Sequence, residues 1–286
     1  PQEMGKGRNV WYCMGYILSI GEAEAVALHD CDIVTYSRDL LARLIYPVAN
    51  PKFNFDFCKG YYPRVSQNKV KGRVARLLVT PLLRALEKTI GFNEFISFVD
   101  SFRYPLAGEF SFRRRVLKDI RIPYDWGLEI GVLSEMYRNY AGNRLCQVDI
   151  SDNYDHKHQD IFFNDNSKGL SKMSIDIIKV IIRKLASQGE TFSMSIFRSL
   201  KATYYREALD FVQIYKKDAI MNAFDIDVHE EETAVELFAK NIMVAGQVFL
   251  DSPMESPNIP AWSRIDTAIP GFLKELKEAV EKDNKF

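Results

Sequence analysis

The sequence lacks an excess of charge of either sign. Its 286 residues contain 38 lysines and arginines and 38 aspartates and glutamates, so the formal net charge at pH 7 is zero. Proteins dedicated to nucleic acid normally carry a basic excess, and this balance therefore argues against a nucleic-acid partner. Basic residues cluster only locally, at 69–76 and 113–115. Local clusters in a neutral chain favour a small anionic ligand.

Cysteines and long apolar runs are also scarce. The four cysteines are far apart and form no Cys-x-x-Cys pair. This spacing excludes a zinc ribbon and a disulfide framework, and it predicts free thiols in a reducing, cytoplasmic compartment. The most apolar stretch, SIDIIKVIIRKLA at 174–186, is interrupted by charges. We therefore expect no membrane span.

The order of the predicted elements is typical of an α/β protein. Helical spacing of apolar residues at 9–20 precedes a short buried strand at 25–29, a helix at 38–48 and an extended segment at 55–65. Helices are then predicted after Gly72, with a kink at Pro81, after the turn at 105–108, and at 125–142, followed by a strand at 144–150. From about residue 164 the pattern is helical throughout, so we predict two regions, 1–163 and 164–286. The apolar stripes of the second region predict a homodimer, although packing on the first region is an alternative.

Two carboxylates follow the first predicted strand. Asp30 and Asp32 are two residues apart, so in an extended backbone their side chains point the same way. Such a pair favours a divalent cation between them, although one carboxylate could instead form a turn or a helix cap. His156 and His158 follow the predicted strand at 144–150. Carboxylates with one imidazole suit Mg²⁺ or Mn²⁺ better than structural zinc, unless these are ordinary loop histidines.

Three further features indicate anion or sugar binding. Gly72 and Arg73 at a predicted helix start could hold an anion, or they could belong to a solvated basic face. Glu109 and Glu129 lie in apolar surroundings, where a carboxylate needs a partner. Sugar hydroxyls could supply that partner, and for Glu109 an internal pair with Arg113 is the alternative.

Six motifs, in their order along the chain, resemble the glucosyl-3-phosphoglycerate synthase family. They are GKGRNVW at 5–11, HDCDIV at 29–34, KGRVARLLVTPLL at 71–83, YPLAGEFSFRR at 104–114, WGLEIGVL at 126–133, and QVDI with YDHKHQ at 147–150 and 154–159. The resemblance covers about residues 4–160, and the helical tail matches only in character. It implies a retaining glycosyltransferase with a Rossmann-like GT-A α/β fold, a mixed sheet and an α-helical C-terminal extension.

The resemblance also implies roles at the donor side of the site. Asp32 and His156 would hold the Mg²⁺ or Mn²⁺ that bridges the nucleotide diphosphate. Asp30 would contact the nucleotide-sugar, with UDP-glucose the expected donor, and Lys6 would lie against the nucleotide. Glu129 would bind glucose hydroxyls.

At the acceptor side, Gly72 and Arg73 would hold the phosphate of 3-phosphoglycerate, with His158 near the acceptor. The Leu106 backbone would lie beside the anomeric carbon. Ala75 stands where the family has a threonine, so a hydroxyl is missing among the acceptor contacts.

Several alternatives remain open from the sequence. A GDP-sugar or another acceptor could replace the expected substrates, and a metal-dependent phosphohydrolase using Asp30, Asp32 and His156 is a second possibility. A non-catalytic module that oligomerises through its helical tail is a third. GT-A enzymes begin with strand–helix units that cradle the nucleotide base, and only one helix precedes Asp30 here. We therefore expect a missing N-terminal segment and an unpaired edge on the strand at 25–29.

Overall fold

The computed structural model describes residues 5–66, 68–155 and 169–284. The first helix, α1 (Lys6–Ile20), buries one apolar face that includes Val10, Met14 and Leu18. It ends at Gly21, whose left-handed backbone (φ 77°) lets its N–H donate to the Ile17 carbonyl. The chain then enters strand β1 (Ala25–Leu28), as the sequence predicts.

A mixed four-stranded sheet carries the candidate site. It contains β1, β2 (Phe57–Tyr61), β5 (Phe110–Arg113) and β6 (Leu145–Asp149) in the order β1-β5-β2-β6, and a separate hairpin joins β3 (Val65–Ser66) to β4 (Lys69–Val70). Strand β5 is antiparallel to both of its neighbours, and β2 is parallel to β6. Strands β1, β2 and β6 therefore run in one direction, and their carboxyl ends lie at one edge of the sheet.

The central strand β5 corrects the sequence analysis, which predicted a turn running directly into a helix. Phe110 and Phe112 point into the main core, while Ser111 on the other face donates to the Leu44 carbonyl at 2.7 Å. Both faces are covered, and only then does α5 (Arg114–Asp119) begin. A four-residue strand beside a run of arginines carries too short an alternation to be seen in the sequence.

Strand β1 forms an edge. Within the described ranges it pairs with β5 alone, and its four residues are all half-buried rather than buried. The sequence predicts a buried strand with an unpaired edge. The described residues agree with the unpaired edge, but the prediction that the strand is buried is wrong.

The remaining helices of the first region cover the two faces of the sheet. They are α2 (Arg38–Ala49), α3 (Thr80–Ile90), α4 (Glu94–Asp100) and α6 (Leu128–Asn139). A π-helical segment, Val74–Val79, leads directly into α3, so the helical path changes next to Pro81, where the sequence predicted a kink. The sequence analysis missed α4, which Asn93 caps by accepting from the N–H groups of Phe95 and Ile96.

Five helices follow residue 169: α7 (Gly169–Ala186), α8 (Met194–Met221), α9 (Val228–Asp251), α10 (Trp262–Ala268) and α11 (Phe272–Asp283). By length and composition alone, α9 is apolar enough to cross a membrane, which the sequence analysis did not notice. However, 56% of its apolar window is buried, so it meets the description of a core helix equally well.

The helices after residue 169 share the main core with the first region. The Tyr204 hydroxyl of α8 donates to the Leu77 carbonyl at 2.6 Å, and both groups are buried. Trp11 of α1 stacks on Trp262 of α10 with ring centroids 4.0 Å apart. The boundary near residue 164 stays a prediction, and the described helices on either side of it pack together.

Candidate functional site

A cleft of about 820 Å³ opens at the carboxyl end of β1, where Leu28 and the acidic turn after it form part of its lining. Of the ten residues that the sequence analysis assigned to a site, eight line this cleft: Lys6, Asp30, Asp32, Gly72, Arg73, Ala75, Leu106 and Glu129. The other two, His156 and His158, lie outside the described residues. Residues from five separate segments thus meet at one surface.

The two glycines of the Gly5-Lys6-Gly7 motif lie too close to a neighbouring backbone for any side chain. A Cβ at Gly5 would lie 2.2 Å from the Tyr124 carbonyl oxygen, and one at Gly7 would lie 1.8 Å from that of Pro123. The N-terminus of α1 can therefore approach the segment that precedes α6, and it brings the Lys6 side chain into the cleft. Close approach of the two backbones therefore explains why this motif contains two glycines.

Lys6 lies between two carboxylates. Its Nζ is 2.7 Å from Asp30 Oδ1 and 2.8 Å from Glu129 Oε1. Burial opposes the charged amine, but the carboxylates of Glu129 and Asp30 outweigh burial and raise the pKa of Lys6. The cation beside Glu129 therefore comes from 123 positions away in the sequence.

A second carboxylate, Glu109, lies fully buried behind the cleft. It accepts from the hydroxyls of Tyr154 at 2.5 Å and Tyr62 at 2.8 Å, and the Asp30 N–H is 3.4 Å away. Burial, followed by the nearby Asp30 carboxylate, raises the pKa of Glu109. The alternative of a pair with Arg113 is wrong, because the Arg113 Nε donates to the Phe55 carbonyl instead.

The segment that follows β6 is tied to the turn after Asp32. The Val34 N–H donates to the Asp155 carbonyl at 2.8 Å, and the Asp155 N–H donates to Thr35 Oγ1 at 3.0 Å. Tyr154 adds the bond to Glu109 and stacks on Tyr62 at 3.6 Å. The loops after β1 and β6 therefore meet.

Arg73 lines the cleft but is already engaged by α9. Its Nη2 is 2.8 Å from Glu230 Oε2, and its Nε donates to Glu231 Oε1 at 3.1 Å. Arg73 is therefore held in ion pairs, and its role in binding an anion stays a prediction. Gly72 beside it has φ 74°, a conformation that favours glycine.

Sequence reasoning missed Lys59, which lies below the cleft at 1% exposure. Its ammonium donates to the Ala107 carbonyl, in the loop that also carries Leu106. Burial lowers the pKa of Lys59 to about 8, although the carboxylates of Glu129 and Glu109 oppose the shift. The signal in the sequence was a lysine inside the apolar strand FCKGY, because a lysine is almost never fully buried unless it has a partner.

The cleft residues fit a divalent cation in part. Asp30 is paired with Lys6, whereas Asp32 makes no ion pair within the part of the chain that the structure describes. No group of three or more histidine, cysteine, aspartate or glutamate side chains that could hold a metal occurs among those residues. One or two carboxylates completed by substrate phosphates is a donor set that Mg²⁺ accepts.

Comparison with known proteins finds relatives that share one name. No family model matches the chain. The glucosyl-3-phosphoglycerate synthase of Persephonella marina is 47% identical over 280 residues, which cover 98% of this chain and 69% of that protein. The enzyme of the same name from Methanococcoides burtonii is 40% identical over 284 residues, with the same two coverages.

Among solved structures, glucosyl-3-phosphoglycerate synthase from Mycobacterium tuberculosis in complex with phosphoglyceric acid matches with a TM-score of 0.50 and 21% identity. The match covers 68% of this chain and 58% of that one. This likeness is one of fold, and it confirms the predicted α/β fold of the GT-A type. On the strength of the relatives with 47% and 40% identity, the chain belongs to the glucosyl-3-phosphoglycerate synthase family.

Proposed function

We propose that the protein transfers glucose from UDP-glucose to 3-phosphoglycerate with retention of anomeric configuration. The observation that carries this proposal is the single cleft lined by eight residues from five segments, each of which the family resemblance assigns to donor, sugar or acceptor. Membership of the family supports the reaction. The chain spans 69% of the curated relatives and 58% of the solved structure, so the activity of the whole protein stays a proposal.

On the donor side, Asp32 and His156 hold Mg²⁺ or Mn²⁺ in this proposal. The bound metal supplies neutralisation of the charge that develops on the departing diphosphate. Asp30 and Glu129 share the Lys6 ammonium, so their carboxylate oxygens are fixed in the cleft and can accept from sugar hydroxyls. Lys6 itself faces the nucleotide and sets the distance between the two carboxylates.

On the acceptor side, 3-phosphoglycerate binds beside Gly72, Arg73 and His158. Leu106 presents its backbone to the sugar, and Lys59 fixes that loop through the Ala107 carbonyl. Ala75 offers no side-chain donor, so other groups must satisfy the acceptor there. The acceptor oxygen bonds to the anomeric carbon on the face from which UDP leaves, and the bond from that carbon to the diphosphate oxygen breaks. The hydroxyl proton passes to the departing diphosphate, so configuration is retained and no strong base from the protein is required.

The helical region after residue 164 forms a homodimer in this proposal. Five large apolar side chains of its described residues lie well exposed, namely Ile214, Ile220, Met221, Met254 and Ile269. Light scattering at micromolar concentration gives the mass directly, and a monomer would remove this part of the proposal.

Transfer is tested with UDP-glucose, 3-phosphoglycerate and Mn²⁺. We expect UDP release that depends on the acceptor, a product with the mass of a glucosyl-phosphoglycerate, and an α-anomeric proton in its NMR spectrum. UDP-glucose turnover without acceptor would favour the phosphohydrolase, and turnover of neither would favour a non-catalytic module. GDP-glucose in place of UDP-glucose decides the donor base.

A further inference from the structure

Two of the four cysteines face each other across the sheet. Cys58 on β2 and Cys146 on β6 are direct partners in the parallel ladder, and neither lines the cleft. Neighbouring strands lie about 4.7–4.9 Å apart, and partner residues carry their side chains on the same face. The Cα atoms of a disulfide are usually about 4.4–6.8 Å apart. The two strands therefore place these thiols at a spacing that a disulfide can bridge.

The two thiols also interact with each other. A hydrogen bond between them is the largest cause that raises the pKa of Cys58 and lowers the pKa of Cys146, and burial adds to the rise at Cys58. The Cys146 thiol in turn donates to the Phe57 carbonyl at 3.7 Å. Cys146 is therefore the thiol that ionises, and Cys58 is the thiol that stabilises its charge by donating to it.

The two cysteines differ in their access to solvent. Cys58 is fully buried, whereas Cys146 is half-buried. Among the described residues β6 pairs with β2 alone, so Cys146 lies on an edge strand of the sheet. The thiol that ionises is thus the one that a small oxidant reaches. This is the arrangement of an attacking cysteine beside a resolving cysteine.

A row of small side chains surrounds the pair. On the same face, β5 places Ser111 beside Cys58, and β1 places Ala27 beside Ser111. Helix α2 packs on this row, where the Ser111 hydroxyl donates to the Leu44 carbonyl at 2.7 Å and Leu44 shares a core with Cys58. Close approach of α2 explains why the row is small, but serine or alanine would allow it equally well. A disulfide has two hydrogens fewer than two thiols, so it needs no added volume there.

We propose that Cys58 and Cys146 form a site of reversible oxidation, at which hydrogen peroxide converts the two thiols into a disulfide. The Cys146 thiolate attacks one peroxide oxygen, so an S–O bond forms and the O–O bond breaks. The second oxygen leaves as hydroxide and becomes water with the proton that Cys146 released. The Cys58 sulfur then attacks the Cys146 sulfur, the S–S bond forms, the S–O bond breaks, and the departing hydroxide takes the Cys58 proton. Two thiols are oxidised, and one peroxide is reduced to two waters.

The test treats the whole chain with hydrogen peroxide. Non-reducing peptide mapping of the wild type should link the peptides that contain Cys58 and Cys146, and dithiothreitol should release them. Cys13 and Cys31 are exposed and would also oxidise. Thiols are therefore counted in the Cys13→Ser/Cys31→Ser variant, which should lose both of its remaining thiols without gaining oxygen. In the matched variant Cys58→Ser, Cys146 has no partner, and dimedone should trap a sulfenic acid there.

Thermal unfolding measures whether the sheet accepts the bond without strain. The disulfide closes a long loop, so the oxidised Cys13→Ser/Cys31→Ser variant should melt about 10 °C higher than its reduced form. A melting temperature that does not rise would mean that the bond distorts the sheet. Uptake of oxygen at Cys146 without the link to Cys58 would mean that the two sulfurs do not meet. Either result overturns the site, and the wild-type link decides the question even if Cys58→Ser fails to fold.

Discussion

Replacement of Tyr154 by phenylalanine tests how the fold holds the acidic turn at 29–35. The Tyr154 hydroxyl, on a side chain 2% exposed, donates at 2.5 Å to the fully buried Glu109. A hydrogen bond to a charged group contributes about 1.5–3 kcal/mol, so Tyr154→Phe should lower the free energy of unfolding by that amount. The melting temperature should fall by about 3–12 °C. Urea unfolding and calorimetry measure both.

Tyr62→Phe is the matched variant, because its hydroxyl donates to the same carboxylate at 2.8 Å. We expect a similar loss of stability but a different effect on metal binding. Tyr154 precedes Asp155, whose backbone is bonded to Val34 and Thr35 just after Asp32. Tyr154→Phe should therefore weaken Mn²⁺ binding in the presence of UDP, measured by electron paramagnetic resonance, and Tyr62→Phe should not.

Two results would refute this reasoning. A stability loss below about 0.5 kcal/mol for Tyr154→Phe would mean that Glu109 does not depend on that hydroxyl. Equal effects of the two variants on Mn²⁺ binding would mean that the loop after β6 does not set the position of the acidic turn. Either result would leave the 2.5 Å contact without the role assigned to it.

Three further predictions follow from the same residues. Arg73→Ala should raise the KM for 3-phosphoglycerate more than that for UDP-glucose, by at most about tenfold because Glu230 and Glu231 already engage the guanidinium; equal effects on both substrates would indicate a structural role. His156→Ala should abolish metal-dependent transfer and leave the melting temperature unchanged, and full activity at limiting Mn²⁺ would exclude His156 as a ligand. Burial and then the Asp176 carboxylate raise the pKa of Asp125 from 3.8 to about 6. Between these two pH values the folded state binds more protons than the unfolded state. The free energy of unfolding should therefore fall by about 3 kcal/mol as the pH rises from 3.8 to about 6. Urea unfolding between pH 4 and pH 7 should show this fall for the wild type and not for Asp125→Asn.

The parts of the fold that could be predicted are those with a local signal. Helical periodicity identifies α1, α2 and α6, and the acidic pair after β1 indicates a site at a strand end. The missed strand β5 has four residues, and its partners β1 and β2 lie far away in the sequence. Its strand conformation comes from cross-strand pairing and burial on both faces, which no window of the sequence contains.

In the candidate site, too, only the features with a local sequence signal could be predicted. Motif residues such as Asp30 and Glu129 could be named in advance, but the cation between them could not, because Lys6 is 123 positions from Glu129. Lys59 was missed for a related reason: its acceptor, the Ala107 carbonyl, is 48 positions away. Residue types at a site are local information, and the pairing of their charges is not.

A glutamate of α9 pairs with two arginines of the first region. Glu231 is 3% exposed and contacts both Arg73 and Arg76, so one carboxylate of the C-terminal region fixes two guanidinium groups beside the cleft. Removing a buried partner of this kind leaves uncompensated charge and costs about 3–5 kcal/mol. The side of the cleft that Arg73 lines therefore depends on a carboxylate from the helices after residue 169. We therefore predict that the C-terminal helices influence anion binding in the cleft as well as completing the core, because Glu231 neutralises part of the charge of both guanidinium groups.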